Sequence, residues 1–181
     1  MGALELGLLA AMCWGFHDVC VRFISQQTPI SACIFIVLIV GLIFHICLMM
    51  PSKEISTITK AAFTYASIAG VSFVIASFSL YYAFKRGPVK LVAPLIASYP
   101  ILSITWAIWI GTPVSKLQIL AVLAIILGVS IVAIMSDNSE EKIPPIGKTI
   151  ALSIVAAIAF ACTFALGQAA AELSPHMSAT L

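Results

Sequence analysis

Long apolar runs, broken at intervals by short clusters of proline, glycine and charge, set the pattern of this chain. A helical segment needs about 20 mostly apolar residues to span a bilayer. Six stretches have that length, at about 4–25, 30–50, 61–84, 91–110, 117–135 and 149–171. Backbone polar groups in hydrocarbon must be satisfied within their own segment, so each stretch is expected to be a helix. The alternating polarity of roughly 10-residue transmembrane β-strands is absent from the pattern.

The breaks carry turn chemistry. Thr28-Pro29 separates the first two segments, and Pro51 to Lys60 forms the second loop. Lys85-Arg86-Gly87-Pro88 is a tight third turn, and Gly111-Thr112-Pro113 is the fourth. The fifth break, residues 136–148, is the longest and most charged. Its charge and Pro144-Pro145 read as a linker between two halves.

A linker of that kind prompts a comparison of the halves. Shifting the first segment by 146 residues puts Leu6 on Leu152, Ala10-Ala11 on Ala156-Ala157 and Pro29 on Pro175. Trp14 then falls on Phe160, Met12 on Ile158 and Thr28 on Ser174. The alternative is two apolar helices aligning through shared composition. If the repeat is real, its unit has five helices, and an odd number sends the second copy into the membrane the opposite way. Inverted repeats of this kind build secondary transporters, with the substrate site between the repeats. The expected organisation is one five-helix unit over 1–135, a loop over 136–148, and the first helix of a second unit within 149–181.

Composition agrees with a membrane protein. The chain is 62% hydrophobic and 9% charged, with a mean hydropathy of +1.15. Soluble domains carry about 25% charged residues, so a soluble surface cannot be built here. The net charge of +2 provides no basic patch for nucleic acid. Cys13, Cys20, Cys33, Cys47 and Cys162 lie inside apolar segments without a CxxC pair, and they read as small buried hydrophobes. The N-terminus lacks the basic region and cleavage site of a secretory signal, so the first helix is expected to be retained.

Ionisable groups within the spans gather in the first helix, at His17, Asp18 and Arg22. A charge near mid-bilayer costs roughly 2.5–3.5 kcal/mol on insertion scales and usually faces a cavity or bundle interior. Asp18 and Arg22 are spaced i,i+4 and share a face with Trp14. One reading is a cavity-lining cluster in which Asp18 or His17 titrates with substrate or protons and Arg22 attracts an anionic group. The other is a structural ion pair near the helix end, with Arg22 reaching the interface. His45, nearer the end of the second segment, reads as structural. Pro94 falls in the first turn of the fourth segment, where proline is tolerated, and Pro100 should kink that segment near Ile96. Tyr99, Ser103 and Trp106 share the face beside the kink and form a candidate substrate wall, or ordinary packing. Tyr65, Ser72 and Ser79 make a polar stripe on the third segment, with Tyr82 nearby. Ala66 and Gly70 form a small-xxx-small pair suited to close helix contact. No metalloprotease, hydrolase or phosphate-loop motif occurs, so neither an enzyme nor a cofactor or metal site is expected.

The motifs together resemble the drug/metabolite transporter superfamily, in its EamA branch. The first helix carries Trp14-Gly15-Phe16-His17-Asp18 and then Arg22. Tyr82-Ala83-Phe84-Lys85 ends the third helix, and Ala97-Ser98-Tyr99-Pro100 lies in the fourth. The turn from Gly111 to Gln118 precedes a fifth helix with Leu127-Gly128-Val129. Two residues depart from the family pattern. Thr112 replaces an acidic residue, and Asp18 replaces an aromatic one.

The resemblance implies an all-α, ten-helix transporter of small organic molecules. Its central cavity would be lined by the first, third, fourth and sixth helices among others. The expected function is a secondary transporter, an exporter or exchanger, working by alternating access in the cell (inner) membrane. The alternative is a membrane subunit that only packs or recruits partners. Gln168 falls on the position of Arg22 in the offset match, beside Thr163, and joins the cavity candidates. Both are expected to need covering by helices that follow in a second unit, or by a homodimer. The chain alone is expected to be inactive without them. Counting positive charges in the loops favours an N-terminus outside the cytoplasm, whereas the resemblance favours one inside, and the expectation follows the resemblance.

Overall fold

A computed structural model describes residues 3–49, 58–135 and 146–173. They form α1 (Ala3–Gln27), α2 (Ile30–Met49), α3 (Lys60–Arg86), α4 (Val89–Ile96), α5 (Tyr99–Trp109), α6 (Lys116–Met135) and α7 (Ile146–Leu173). Five spans are long and apolar enough to cross a bilayer: Glu5–Gln27, Ile30–Cys47, Lys60–Arg86, Lys90–Trp109 and Ile146–Leu173. Lys116–Ile131 is a shorter apolar helix. The protein is an all-α, multi-pass membrane protein, as the apolar pattern predicts.

The helix ends follow from local chemistry. Thr59 caps α3, its hydroxyl accepting from Ala62 N at 3.1 Å. Ser115 and Gln118 form a reciprocal capping box for α6. Gln118 N donates to Ser115 Oγ at 3.2 Å, and Ser115 N donates to Gln118 Oε1 at 2.7 Å. The glutamine of the turn before this helix is therefore a cap. Gly111 has φ +79°, the one positive φ among the described residues, where a side chain would be strained.

The fourth apolar stretch is two helices. Pro100 has no N–H to return to Ile96, and Ala97-Ser98 forms a turn between α4 and α5. The Ser98 hydroxyl donates to Leu95 O at 2.6 Å. The expected kink is thus a full break, one residue beyond Ile96. Pro94 lies inside α4, because the helix begins directly after Pro88.

An antiparallel pair, α3 and α7, forms the centre. Ala62, Ala69, Ala76 and Ala83 recur every seven residues on α3 and are 0–4% exposed. Ser153, Ala156, Ala157 and Phe160 are buried on α7. Gly87 at the end of α3 meets Thr149 at the start of α7, while Thr163 lies 3.5 Å from Ala69 O. Small residues let backbones approach closely in a membrane, where lipid provides no hydrophobic drive for association. The expected contact through Ala66 and Gly70 does not form. Gly70 is exposed with open space around it, because α3 turns its other small stripe toward α7.

Helices α1 and α2 pack on α3, and α4 and α5 pack on α7. His17 reaches Tyr81 and Arg22 reaches Phe84, so α1 runs parallel to α3. Consequently α1 and α7 run in opposite directions. Large apolar side chains such as Leu8, Phe16, Phe23 and Ile43 lie on the outside, an arrangement suited to lipid. The cysteines depart from expectation here. Cys33 is buried, but Cys13, Cys47 and Cys162 are exposed on their helices, since in lipid a small apolar side chain has no need of the interior.

Candidate functional site

Two clefts lie either side of an aromatic wall at the middle of the bundle. Trp14, Leu80 and Phe160 line both. The cleft toward α2 has a volume of about 250 Å³. The cleft toward α6 has a volume of about 290 Å³ and draws residues from α1, α3, α4, α5, α6 and α7. The wall is held edge to face, with Trp14 and Phe160 centroids 5.8 Å apart at 90°. Phe73 packs on the same Phe160 ring at 6.2 Å, and Tyr99 at 6.3 Å.

Helix α1 sends its polar side chains to both clefts. Trp14 and His17 are one turn apart and touch edge to face at 5.5 Å. His17 lines the α2-side cleft and Asp18 the α6-side cleft. His17 Nδ1 lies 3.2 Å from Asp18 Oδ1, and His17 Nε2 lies 3.2 Å from the Tyr81 hydroxyl. A carboxylate only accepts. In the neutral imidazole Nδ1 therefore carries the hydrogen and donates to Asp18, and the Tyr81 hydroxyl donates to Nε2. The result is one hydrogen-bonded chain from Tyr81 through His17 to Asp18, passing from one cleft to the other. The side chains of His17 and Asp18 are 33% and 41% exposed, so both remain reachable.

Four of the sequence candidates meet here: Trp14, His17, Asp18 and Tyr99. Pro100 contributes through the backbone, since the break it helps make places Ile96, Ala97 and Tyr99 along the α6-side cleft. The others lie elsewhere. Arg22 donates from Nη1 to the carbonyls of Phe84 and Gly87, at the end of α3. Gln26 reaches the same Phe84 carbonyl at 3.5 Å. A cation at a helix C-terminus is favoured by the unpaired carbonyls and the dipole, which suits Arg22 to that place. Ser79 is buried and Ser72 half-buried, and neither lines these two clefts. Ser103 donates to Tyr99 O at 3.3 Å and faces a separate groove between α5 and α7. Gln168 is exposed and donates to Glu172 Oε1 at 3.0 Å.

Sequence reasoning missed Tyr81, Ser77, Phe84 and Phe164. Tyr82 drew notice, yet its neighbour Tyr81 is the buried one, at 4% against 44% exposure. The helix rotation that decides between them is fixed by the contacts of α3 with α7. Among the described residues no group of three or more His, Cys, Asp and Glu side chains could hold a metal ion.

Comparison with known proteins agrees with this architecture. Residues 1–134 match the EamA-like transporter family. Uncharacterized protein MJ1333.1 of Methanocaldococcus jannaschii is 29% identical over 133 residues, which cover 73% of this chain and 96% of that protein. No solved structure matches.

Proposed function

Since the chain belongs to the EamA-like transporter family, we propose that it is a secondary transporter of small organic metabolites, an exporter or exchanger. It works by alternating access in the cell (inner) membrane and converts no substrate. One observation carries this reading. Asp18 lines a cleft bordered by six of the seven described helices, and it is the one charged side chain among the described lining residues. A charge placed within a span is retained for function more often than for packing.

The two units of the reading are residues 1–135 and a second unit beginning with the helix in 149–181, joined by 136–148. The offset match pairs Trp14 with Phe160, and these two rings touch at 5.8 Å. Equivalent residues in contact are what a two-fold axis between inverted units produces, because such residues sit on the axis. The opposed directions of α1 and α7 suit the same symmetry. The site then lies where the units meet, as in other inverted-repeat carriers. A second unit completes the cavity, provided either by further helices of the same protein or by a second copy.

In this reading His17 and Asp18 are the coupling groups, Tyr81 orients the imidazole, and Trp14 and Tyr99 form the cargo wall. Asp18→Asn keeps the size of the side chain and removes its charge. It is expected to reduce uptake or export of the cargo by about 10-fold or more, while membrane insertion changes little. Transport by cells expressing wild type and variant at matched membrane levels reads this directly. Equal transport at equal levels would remove Asp18 from the mechanism and leave a packing subunit as the better description.

A further inference from the structure

We infer that the α6-side cleft binds a monovalent organic cation with an apolar body, such as a protonated or quaternary amine. The inference names the cargo class of the transport site proposed above, and rests on that reading for its role as cargo.

Five aromatic rings border the cleft, from Trp14, Phe84, Tyr99, Phe160 and Phe164. Tyr99 stacks on Phe164 at 5.4 Å with the planes 28° apart, and Phe160 lies nearly parallel to Phe164 at 6.4 Å and 22°. Among its described lining residues, Asp18 is the one charged side chain. An aromatic face attracts a cation through its quadrupole, most strongly where water is scarce. A carboxylate in the same cleft supplies the opposite charge.

Other ligand classes fit less well. An anion would meet the Asp18 carboxylate; the adjacent His17 is turned to that carboxylate and lines the other cleft, and Arg22 is engaged with the carbonyls that end α3. A neutral apolar molecule would displace water from a carboxylate and leave it without a charged partner. A hard metal ion takes six to eight oxygen ligands, and no cluster of acidic or metal-binding side chains is present among the described residues. A volume of about 290 Å³ suits a small organic molecule, at the lower end of ligand pockets. His17 holds Asp18 Oδ1 at 3.2 Å, which orients the carboxylate without closing it, since the Asp18 side chain is 41% exposed.

The test uses the full-length protein in a non-ionic detergent and three probes that share a phenyl ring: benzyltrimethylammonium, benzyl alcohol and benzoate. Calorimetric titration is expected to show saturable binding of benzyltrimethylammonium, with both other probes about 10-fold weaker or more. Asp18→Asn should weaken the cation about 10-fold and leave benzyl alcohol unchanged. Phe164→Leu should weaken it several-fold, and serves alone if Asp18→Asn does not fold as judged by gel filtration. Benzoate or benzyl alcohol binding as tightly as the cation overturns the inference, as does cation affinity unaltered by a folded Asp18→Asn and Phe164→Leu. Flux of a metabolite panel in liposomes separates this from the transport reading. Saturable flux of anions alone, with no cation bound, overturns the cargo class and leaves transport standing. Cation binding that depends on Asp18, without flux of any solute, supports the site and overturns transport.

Discussion

Phe160→Ala is expected to lower stability by about 3 kcal/mol and to join the two clefts into one. The Phe160 ring is 3% exposed and contacts Trp14, Phe73, Tyr99 and Phe164 at centroid distances of 5.8, 6.2, 6.3 and 6.4 Å. Truncating a buried phenylalanine costs about 3–5 kcal/mol in soluble cores. Part of that is transfer from water, which does not apply when the unfolded helices stay in lipid. The lost contacts and the cavity remain, so the lower end is expected. Phe160→Leu, which keeps most of the volume, should lose less than half as much. Thermal unfolding in detergent measures both. An alanine variant as stable as wild type would mean that the aromatic wall is not what holds α7 against α1, α3 and α5.

Gly87→Ala is expected to destabilise the α3–α7 pair by about 2 kcal/mol, within the range of about 1–3 kcal/mol for overpacked sites. Gly87 has φ −127°, a conformation open to any residue, so only space limits a side chain there. A Cβ there would lie well inside van der Waals contact of Thr149 Cγ2, and 3.3 Å from Thr149 Cβ. Thr149 is 1% exposed, and its β-branched side chain has few rotamers in a helix. The helix end cannot move away cheaply, because Arg22 binds the Gly87 carbonyl and Gly87 N donates to Ala83 O at 2.9 Å. Adding Thr149→Ala should restore most of the loss, since it removes the group in the way. A double variant no more stable than Gly87→Ala would show that the two positions do not meet.

Much of this architecture is legible in the sequence because lipid imposes one rule on every span. Length and apolarity place α1, α2, α3, α6 and α7 within a few residues of their observed bounds. The α4–α5 break is half legible. Pro100 marks the place, while the full turn depends on Ser98 bonding to Leu95. At the site, Trp14, His17 and Asp18 stand out because polar and ionisable groups are conspicuous in an apolar helix. Tyr81 does not stand out, since the histidine it bonds is 64 residues away. Arg22 illustrates the same limit. Helical spacing places it beside Asp18, and only the fold brings the Phe84 and Gly87 carbonyls to its other side. Two small-residue stripes on α3 compete in the sequence, and the choice of Ala62, Ala69, Ala76 and Ala83 over Ala66 and Gly70 is made by α7.

Under the proposed function, Asp18 sits in a carrier's cargo site. Flux in liposomes reconstituted with the full-length protein tests it most directly, with wild type and Asp18→Asn at equal protein content. Saturable uptake of at least one small organic solute, faster when the same solute is preloaded inside, is expected from wild type. A loss of about 10-fold or more is expected from Asp18→Asn. Equal flux in both, or no solute carried by either, would contradict it.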